Sequence, residues 1–281
     1  MSQFLRHYLL AVQFFTRIPV TGRLANWVGY SPTMLRASAA HFPGIGWLVG
    51  AAAAGVYLLL LALLPSTVFT PLVAATLSTV TSVLLTGAFH EDGLADVADG
   101  LGGSQDPQRA LEIMKDSRVG AFGALALVLV LACKLALLAL LGAAESDLSG
   151  ADEAEELIQG WLVAGGLFTA HVVSRGLPLL LIRLLPHVGD AASSKSKPLA
   201  DQITLPALGA AFIWCFLALA LASYVLDATS LIVACSLAML ALLWMGRLFW
   251  HRLQGFTGDC LGAAQQVCEI AFYLGLAVSL S

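Results

Sequence analysis

The stretch "HFPGIGWLVGAAAAGVYLLLLALL", residues 41–64, contains no Asp, Glu, Lys or Arg. A helix needs about 20 apolar residues to cross a hydrocarbon layer about 30 Å thick, so this stretch predicts a transmembrane helix. Within it, Gly46, Gly50 and Ala54 recur every fourth residue, a spacing that favours close packing against another helix. Six further segments have similar length and apolarity: 68–89, 119–142, 158–185, 203–225, 229–249 and 260–280.

The composition supports the same conclusion. The chain has 281 residues, of which 59% are hydrophobic and 11% charged, and this excludes an ordinary soluble domain. We predict an all-α, polytopic membrane bundle of about seven transmembrane helices, folded as a single domain over residues 1–281. Residues 1–40 are predicted to be a cytoplasmic or interfacial segment, because their apolar run at 8–15 is too short for a signal peptide and no cleavage site follows it.

Basic residues predict the orientation of the bundle. If the predicted spans alternate in direction, the four connecting regions that carry these basic residues lie on the same side of the membrane. The positive-inside rule assigns that side to the cytoplasm. The result is an N-in, C-out topology. The opposite side receives the acidic run at 145–156, which has six acids and no Lys or Arg, whereas the segment 189–201 is predicted to be a cytoplasmic loop, either a spacer or a substrate lid. The basic residues concerned are Arg6, Arg17, Arg23 and Arg36; Arg109, Lys115 and Arg118; Arg183, Lys195 and Lys197; and Arg247 and Arg252.

A cluster of acids interrupts this apolar chain at "AFHEDGLADVADGLGG", residues 88–103. If the segment is helical, Asp92, Asp96 and Asp99 share one narrow face, since each residue turns the helix by about 100°. Such a face suits a divalent cation, and magnesium prefers a few carboxylates together with phosphate oxygens. Gly93 and Gly100 suggest that a ligand or another backbone comes close. The alternative is a polar loop whose acids merely face water.

Four basic or imidazole side chains are further candidates. Lys115 and Arg118 follow the acids on the predicted cytoplasmic side, where they would hold a phosphoanhydride or simply contact lipid headgroups. His171 and Arg175 lie one helical turn apart near the middle of a predicted span. An ionisable residue within a membrane is a site candidate by default, although a structural pair is the alternative.

Four more residues stay ambiguous on sequence alone. His90 precedes the acids and is a candidate ligand, base or wall residue. Thr257 and Asp259 start the last predicted span, where they either cap the helix or contact substrate or metal. Arg17, in "FFTRIPV", is equally open.

Taken in order, these motifs resemble the cobalamin synthase family over nearly the whole chain. The resemblance is carried by "FFTRIPV", "FPGIGWLVG", "GAFHEDGLADVADG", "LEIMKDSRVGAFG" and "TGDCLGAA". The core motif of the family falls on His90, Asp92, Gly93, Asp96, Asp99 and Gly100.

The resemblance implies a magnesium-dependent membrane transferase. Such an enzyme joins α-ribazole, or its 5′-phosphate, to adenosylcobinamide-GDP and yields adenosylcobalamin, or its 5′-phosphate, and GMP. It would lie in the cytoplasmic membrane of a bacterium or archaeon with its active site facing the cytoplasm. Asp92, Asp96 and Asp99 would bind the metal and, with His90, form the catalytic set; the substrate-binding candidates are Arg17, Lys115, Arg118, His171, Arg175, Thr257 and Asp259.

Three other functions remain as alternatives on sequence alone: a prenyltransferase, a CDP-alcohol-type phosphotransferase and a transporter. A prenyltransferase usually has two Asp-rich motifs, whereas here the second candidate is the single Asp259. A transporter would place its polar residues near the midplane, and no inverted repeat is evident. We expect no nucleic-acid partner, and whether copies of the chain form a homo-oligomer is left open.

Overall fold

The computed structural model describes residues 2–148, 160–188 and 202–280. The predicted loop at 189–201 and most of the acidic run, residues 149–156, lie outside this range. Apart from one isolated bridge between His187 and Phe256, the regular structure of the described residues is helical, as predicted.

The N-terminal segment forms short helices before the first long one. Helix α1 (Ser2–Phe15), α2 (Gly22–Val28) and α3 (Pro32–Ser38) lead through a 3₁₀ turn (Ala39–His41) into α4 (Phe42–Leu63). The described chain continues with α5 (Thr70–Thr86), α6 (Phe89–Gly103), α7 (Pro107–Met114), α8 (Ala121–Leu148), α9 (Trp161–Gly176), α10 (Leu179–Leu184), α11 (Leu205–Ala222), α12 (Ala228–Leu253) and α13 (Gly258–Ser279).

Among the described residues, six helical segments are long and apolar enough to cross a membrane. Their outward-facing residues are large and apolar: Val128, Phe216 and Trp244 are 65%, 69% and 59% exposed. A soluble protein rarely exposes so much contiguous apolar surface, so this belt suits lipid. The predicted polytopic bundle is therefore confirmed. The segments are Pro32–Leu63, Ala121–Ser146, Trp161–Leu184, Leu205–Ala222, Ala228–Leu253 and Gly258–Ser279.

The second predicted span, 68–89, differs from the expectation of one continuous helix. Helix α5 ends at Thr86, and α6 begins at Phe89 with its axis bent by 88°. Gly87 and Ala88 form the bend, with φ of 68° and 59°. A left-handed alanine costs about 1–2 kcal/mol, whereas glycine adopts this conformation freely. Counting the bent pair as one span gives seven, the number predicted.

Glycines bring α4 and α9 together at the centre of the bundle. A Cβ on Gly50 would lie 2.8 Å from the carbonyl oxygen of Phe168, and one on Gly46 would overlap the backbone of His171. The close packing predicted from the Gly46 and Gly50 spacing is therefore confirmed. Helix α9 lies deepest in the bundle, since 78% of its spanning stretch is buried, compared with 17% for α8.

The Asp-bearing helix α6 is held at one end of the bundle. It packs against α13, α8 and α7. Arg252, in the last turn of α12, donates hydrogen bonds of 2.8 Å to the carbonyl oxygen of Leu101 and 2.7 Å to that of Ser104. These bonds satisfy carbonyls that the end of α6 would otherwise leave unpaired.

Candidate functional site

The predicted helix through the acid cluster is present, and its carboxylates differ in exposure. Asp92 is exposed, Asp96 is half-buried and Asp99 is 8% exposed. Their spacing of four and three residues keeps them on one side of α6. The acids therefore do not form a loose polar loop, because α6 is packed into the end of the bundle.

Asp99 binds the start of α8. Its Oδ2 accepts a 2.7 Å hydrogen bond from the amide of Gly120, and its Oδ1 accepts a 2.8 Å bond from the amide of Gly123. A carboxylate is favoured at a helix N-terminus, where the free amides carry partial positive charge. A Cβ on Gly120 or Gly123 would overlap the Asp99 carboxylate, which explains both glycines. Asp99 thus fixes α8 relative to the acidic face.

A fourth carboxylate reaches the same region from α13. The backbone of Asp259 packs on Gly93, where an added Cβ would lie 2.8 Å from the Asp259 carbonyl oxygen. Gly93 is therefore required by the close approach of the α13 backbone, which is one of the two explanations that the sequence suggested. Beside it, Thr257 accepts a hydrogen bond from the amide of Cys260 at 3.4 Å. The capping role of Thr257 is confirmed, while substrate or metal contact by Thr257 or Asp259 stays a prediction.

Burial and neighbouring acids both act on Asp96. Its side chain is half-buried, and the charges of Asp259, Asp92 and Asp99 lie close enough to interact with it. Its ionised form is thus disfavoured by its surroundings. A nearby cation would remove that penalty.

The carboxylates of α6 would hold a magnesium ion only together with oxygen ligands from a substrate. Within the described ranges, no three His, Cys, Asp or Glu side chains converge closely enough to hold a metal by themselves. Magnesium, however, is commonly bound by one or two carboxylates, substrate phosphates and water. Asp92 and Asp96 are two carboxylates of that kind, and Asp99 already accepts two amide hydrogen bonds. Metal binding by the three aspartates stays a prediction.

A cavity of about 500 Å³ opens beside Asp99. Arg118 and Asp99 both line it, so the structure brings these two predicted site residues together. The side chain of Arg118 is 86% exposed and forms a 2.5 Å ion pair with Asp116. Lys115 follows α7 directly and is exposed as well. The cavity therefore combines carboxylates with the exposed guanidinium of Arg118, a group that commonly binds phosphate.

His171 and Arg175 lie elsewhere, inside the bundle. Each is 2% exposed, and Nη1 of Arg175 lies 3.0 Å from Nδ1 of His171 and 2.9 Å from its carbonyl oxygen. Next to them, Lys134 forms a 2.6 Å ion pair with Glu269. These contacts match the structural alternative, and substrate binding by His171 or Arg175 stays a prediction.

His90 and Arg17 lie at the edges of the site. His90 is 1% exposed, and its ring stacks on Phe42 with centroids 5.6 Å apart, on the side of α6 away from Asp92. Arg17 is exposed, and its side chain fills the space beside Gly87. Its amide donates a 2.8 Å hydrogen bond to the carbonyl oxygen of Leu85, so Arg17 supports the bend before α6.

The sequence interpretation missed a buried polar network. Glu269 accepts hydrogen bonds from Gln265 at 2.7 Å and from Tyr273 at 3.1 Å. Gln266 connects the network to Glu91 of α6. The signal was available, because Gln265, Glu269 and Tyr273 recur every fourth residue within a predicted span, where polar residues are costly.

Comparison with known proteins gives a consistent result over the whole chain. A family model described as "Cobalamin-5-phosphate synthase" matches residues 7–277. A protein of Polaromonas sp. (strain JS666) named "Adenosylcobinamide-GDP ribazoletransferase" is 72% identical over 99% of both chains. Proteins with the same name from Leptothrix cholodnii and Vibrio cholerae are 46% and 42% identical, covering 96% and 95% of this chain and 94% and 91% of theirs. No solved structure matches. The chain therefore belongs to the cobalamin-5-phosphate synthase family.

Proposed function

We propose that this protein transfers α-ribazole, or its 5′-phosphate, to adenosylcobinamide-GDP and releases GMP. The supporting observation is a helix that carries Asp92 and Asp96 on the same side as Asp99, which lines a cavity together with the exposed, ion-paired Arg118, in a chain whose relatives carry that enzyme name over their full length. The prenyltransferase, alcohol-phosphate transferase and transporter alternatives have no comparable support.

Asp92 and Asp96 are the residues that would hold magnesium, with Asp259 beside them. When bound, the ion would neutralise charge on the phosphoanhydride oxygens. Arg118, which lines the cavity, and Lys115, three residues before it, would bind the phosphates of the guanosine diphosphate group. Asp99, through the amides of Gly120 and Gly123, keeps the wall of the cavity in place.

In the proposed reaction, a ribose hydroxyl oxygen attacks the phosphorus that carries the aminopropanol arm. The new P–O bond forms as the anhydride bond breaks, and GMP leaves with the bridging oxygen. The hydroxyl proton passes to a carboxylate that is free of metal or to His90. The burial of His90 against Phe42 favours a carboxylate.

We also propose that the bundle lies in a bacterial or archaeal cytoplasmic membrane with the acidic site on the cytoplasmic side. The end of the bundle that carries Asp92 also carries Arg17, Arg118 and Arg252. The positive-inside rule assigns such an end to the cytoplasm.

One assay tests the proposed transfer. Purified protein in detergent is incubated with adenosylcobinamide-GDP, magnesium and either α-ribazole or its 5′-phosphate, and GMP is quantified. We expect GMP with at least one acceptor, and none when the acceptor or magnesium is omitted. If neither α-ribazole nor its 5′-phosphate supports GMP release, the proposal is contradicted. The comparison of the two acceptors identifies the substrate.

A further inference from the structure

Glu91 directly precedes Asp92, yet it points into the bundle. Its exposure is 9%, and its Oε1 accepts a 3.0 Å hydrogen bond from Nε2 of Gln266 on α13. An ionised side chain taken out of water loses several kcal/mol of hydration unless partners compensate. An apolar residue would fill this position at lower cost, so the acid requires an explanation other than packing.

The bond to Gln266 continues into a chain across the bundle. Gln266 donates to Oε1 of Gln265 at 3.0 Å, and Gln265 donates to Oγ of Ser174 at 2.9 Å and to Glu269 at 2.7 Å. Glu269 in turn pairs with Lys134. Hydrogen bonds thus join α6 to α13, α9 and α8. A connected network in a low-dielectric interior favours one arrangement of its helices over neighbouring ones.

Helix α6 depends on such a constraint, because glycine forms part of its contact surface. Gly93 packs on the backbone of Asp259, and Gly100 packs on Met114 and the backbone of Ala110. At these two glycines the helices approach closely without an interlocking side chain, so the rotation of α6 depends on contacts elsewhere, among them the Asp99 bonds to α8 and the Glu91 bond to α13. A rotation by one residue, about 100°, would turn Asp92 and Asp96 away from their present face.

We propose that Glu91 is a positioning residue whose hydrogen bond to Gln266 fixes the rotation of α6 on α13, and that this rotation directs Asp92 and Asp96 toward one divalent ion. This inference rests on the metal assignment of the proposed function. It assigns the network a role in metal affinity and not only in stability.

A charge swap between the two helices tests the pairing. Gln266→Glu places two carboxylates against each other, whereas the double variant Glu91→Gln/Gln266→Glu restores one donor and one acceptor in reversed order. Both variants lose the donation from residue 266 to Gln265, so the difference between them reports on the pair with residue 91. The readout is Mn²⁺ affinity, measured by electron paramagnetic resonance on protein in detergent with a fixed excess of GDP, because carboxylate sites that suit magnesium also suit manganese and the diphosphate supplies the oxygen ligands that the carboxylates lack. Gln108→Glu, at an exposed position of α7, is the control for an added negative charge.

We expect Gln266→Glu to weaken Mn²⁺ binding at least tenfold, the double variant to return within about threefold of wild type, and the control to stay within twofold. If Gln266→Glu does not fold, Glu91→Leu and Glu91→Gln replace it. The first should lose affinity, and the second should keep it, because a glutamine oxygen still accepts from Gln266.

Equal affinity in the single variant and wild type, or no recovery in the double variant, would overturn the proposal. Absence of Mn²⁺ binding by the wild type would overturn it together with the metal assignment. Mn²⁺ binding without GMP release would instead contradict only the proposed transfer, because the affinity measurement involves no turnover.

Discussion

Replacing Glu269 by Gln should destabilise the bundle strongly. Glu269 is 1% exposed and Lys134 2%, and the 2.6 Å distance between Oε1 and Nζ makes Glu269 the direct partner of the buried ammonium. The glutamine keeps the size of the side chain but removes its charge. Breaking a buried pair by removing one partner costs about 3–5 kcal/mol, which lowers the folding equilibrium constant by roughly 10² to 10⁴.

The assay is reversible unfolding of purified protein in mixed detergent micelles, compared with Glu112→Gln as the matched control. Glu112 pairs with Arg109 at 2.8 Å, but the two side chains are 63% and 65% exposed, so its loss should cost about 0.2–1 kcal/mol. The double variant Lys134→Met/Glu269→Gln should regain part of the lost stability, since no buried ammonium is left unpaired. Equal losses for Glu269→Gln and Glu112→Gln would refute the reasoning.

Three further outcomes are expected. Gly93→Ala should cost about 1–3 kcal/mol through overpacking against Asp259, whereas Gly209→Ala, with no atom within 4 Å of the added Cβ, should not destabilise; equal melting temperatures would contradict this. Asp99→Asn places an amide against one of two backbone amides and should cost about 1–3 kcal/mol, measured as a lower melting temperature; an unchanged value would show that the bonds to Gly120 and Gly123 are dispensable. A reporter fused after Ser149 should lie outside the cytoplasm, and a cytoplasmic signal would reverse the orientation.

The sequence predicted the spans well because their signal is composition. Stretches such as residues 41–64 can satisfy their backbone in lipid only as helices, so length and apolarity suffice. The bend at Gly87 was missed because the apolar run continues to Phe89, and no proline marks the break. What makes the bend is the left-handed backbone of Gly87 and Ala88 with Arg17 packed over it, a contact between residues 70 positions apart.

The acidic face was predictable from spacing alone, since Asp92, Asp96 and Asp99 need only helical geometry to align. Their individual environments were not. The two amides that Asp99 binds belong to another helix, and no local pattern indicates that pairing. For the same reason, a single sequence shows that burying the charges of Arg175 and Glu269 in a membrane is costly. It does not show which helix supplies the partner of each side chain.

In the proposed reaction Asp92 and Asp96 hold a magnesium ion against a diphosphate, and the rate of GMP release by Asp92→Asn and Asp96→Asn tests this most directly. Asp227→Asn is the control, because Asp227 caps α12 and asparagine caps a helix equally well. We expect both α6 variants to lose at least 100-fold in rate at saturating magnesium, with melting temperatures near wild type, while the control keeps its rate. Rates within twofold of wild type in both α6 variants would contradict the claim.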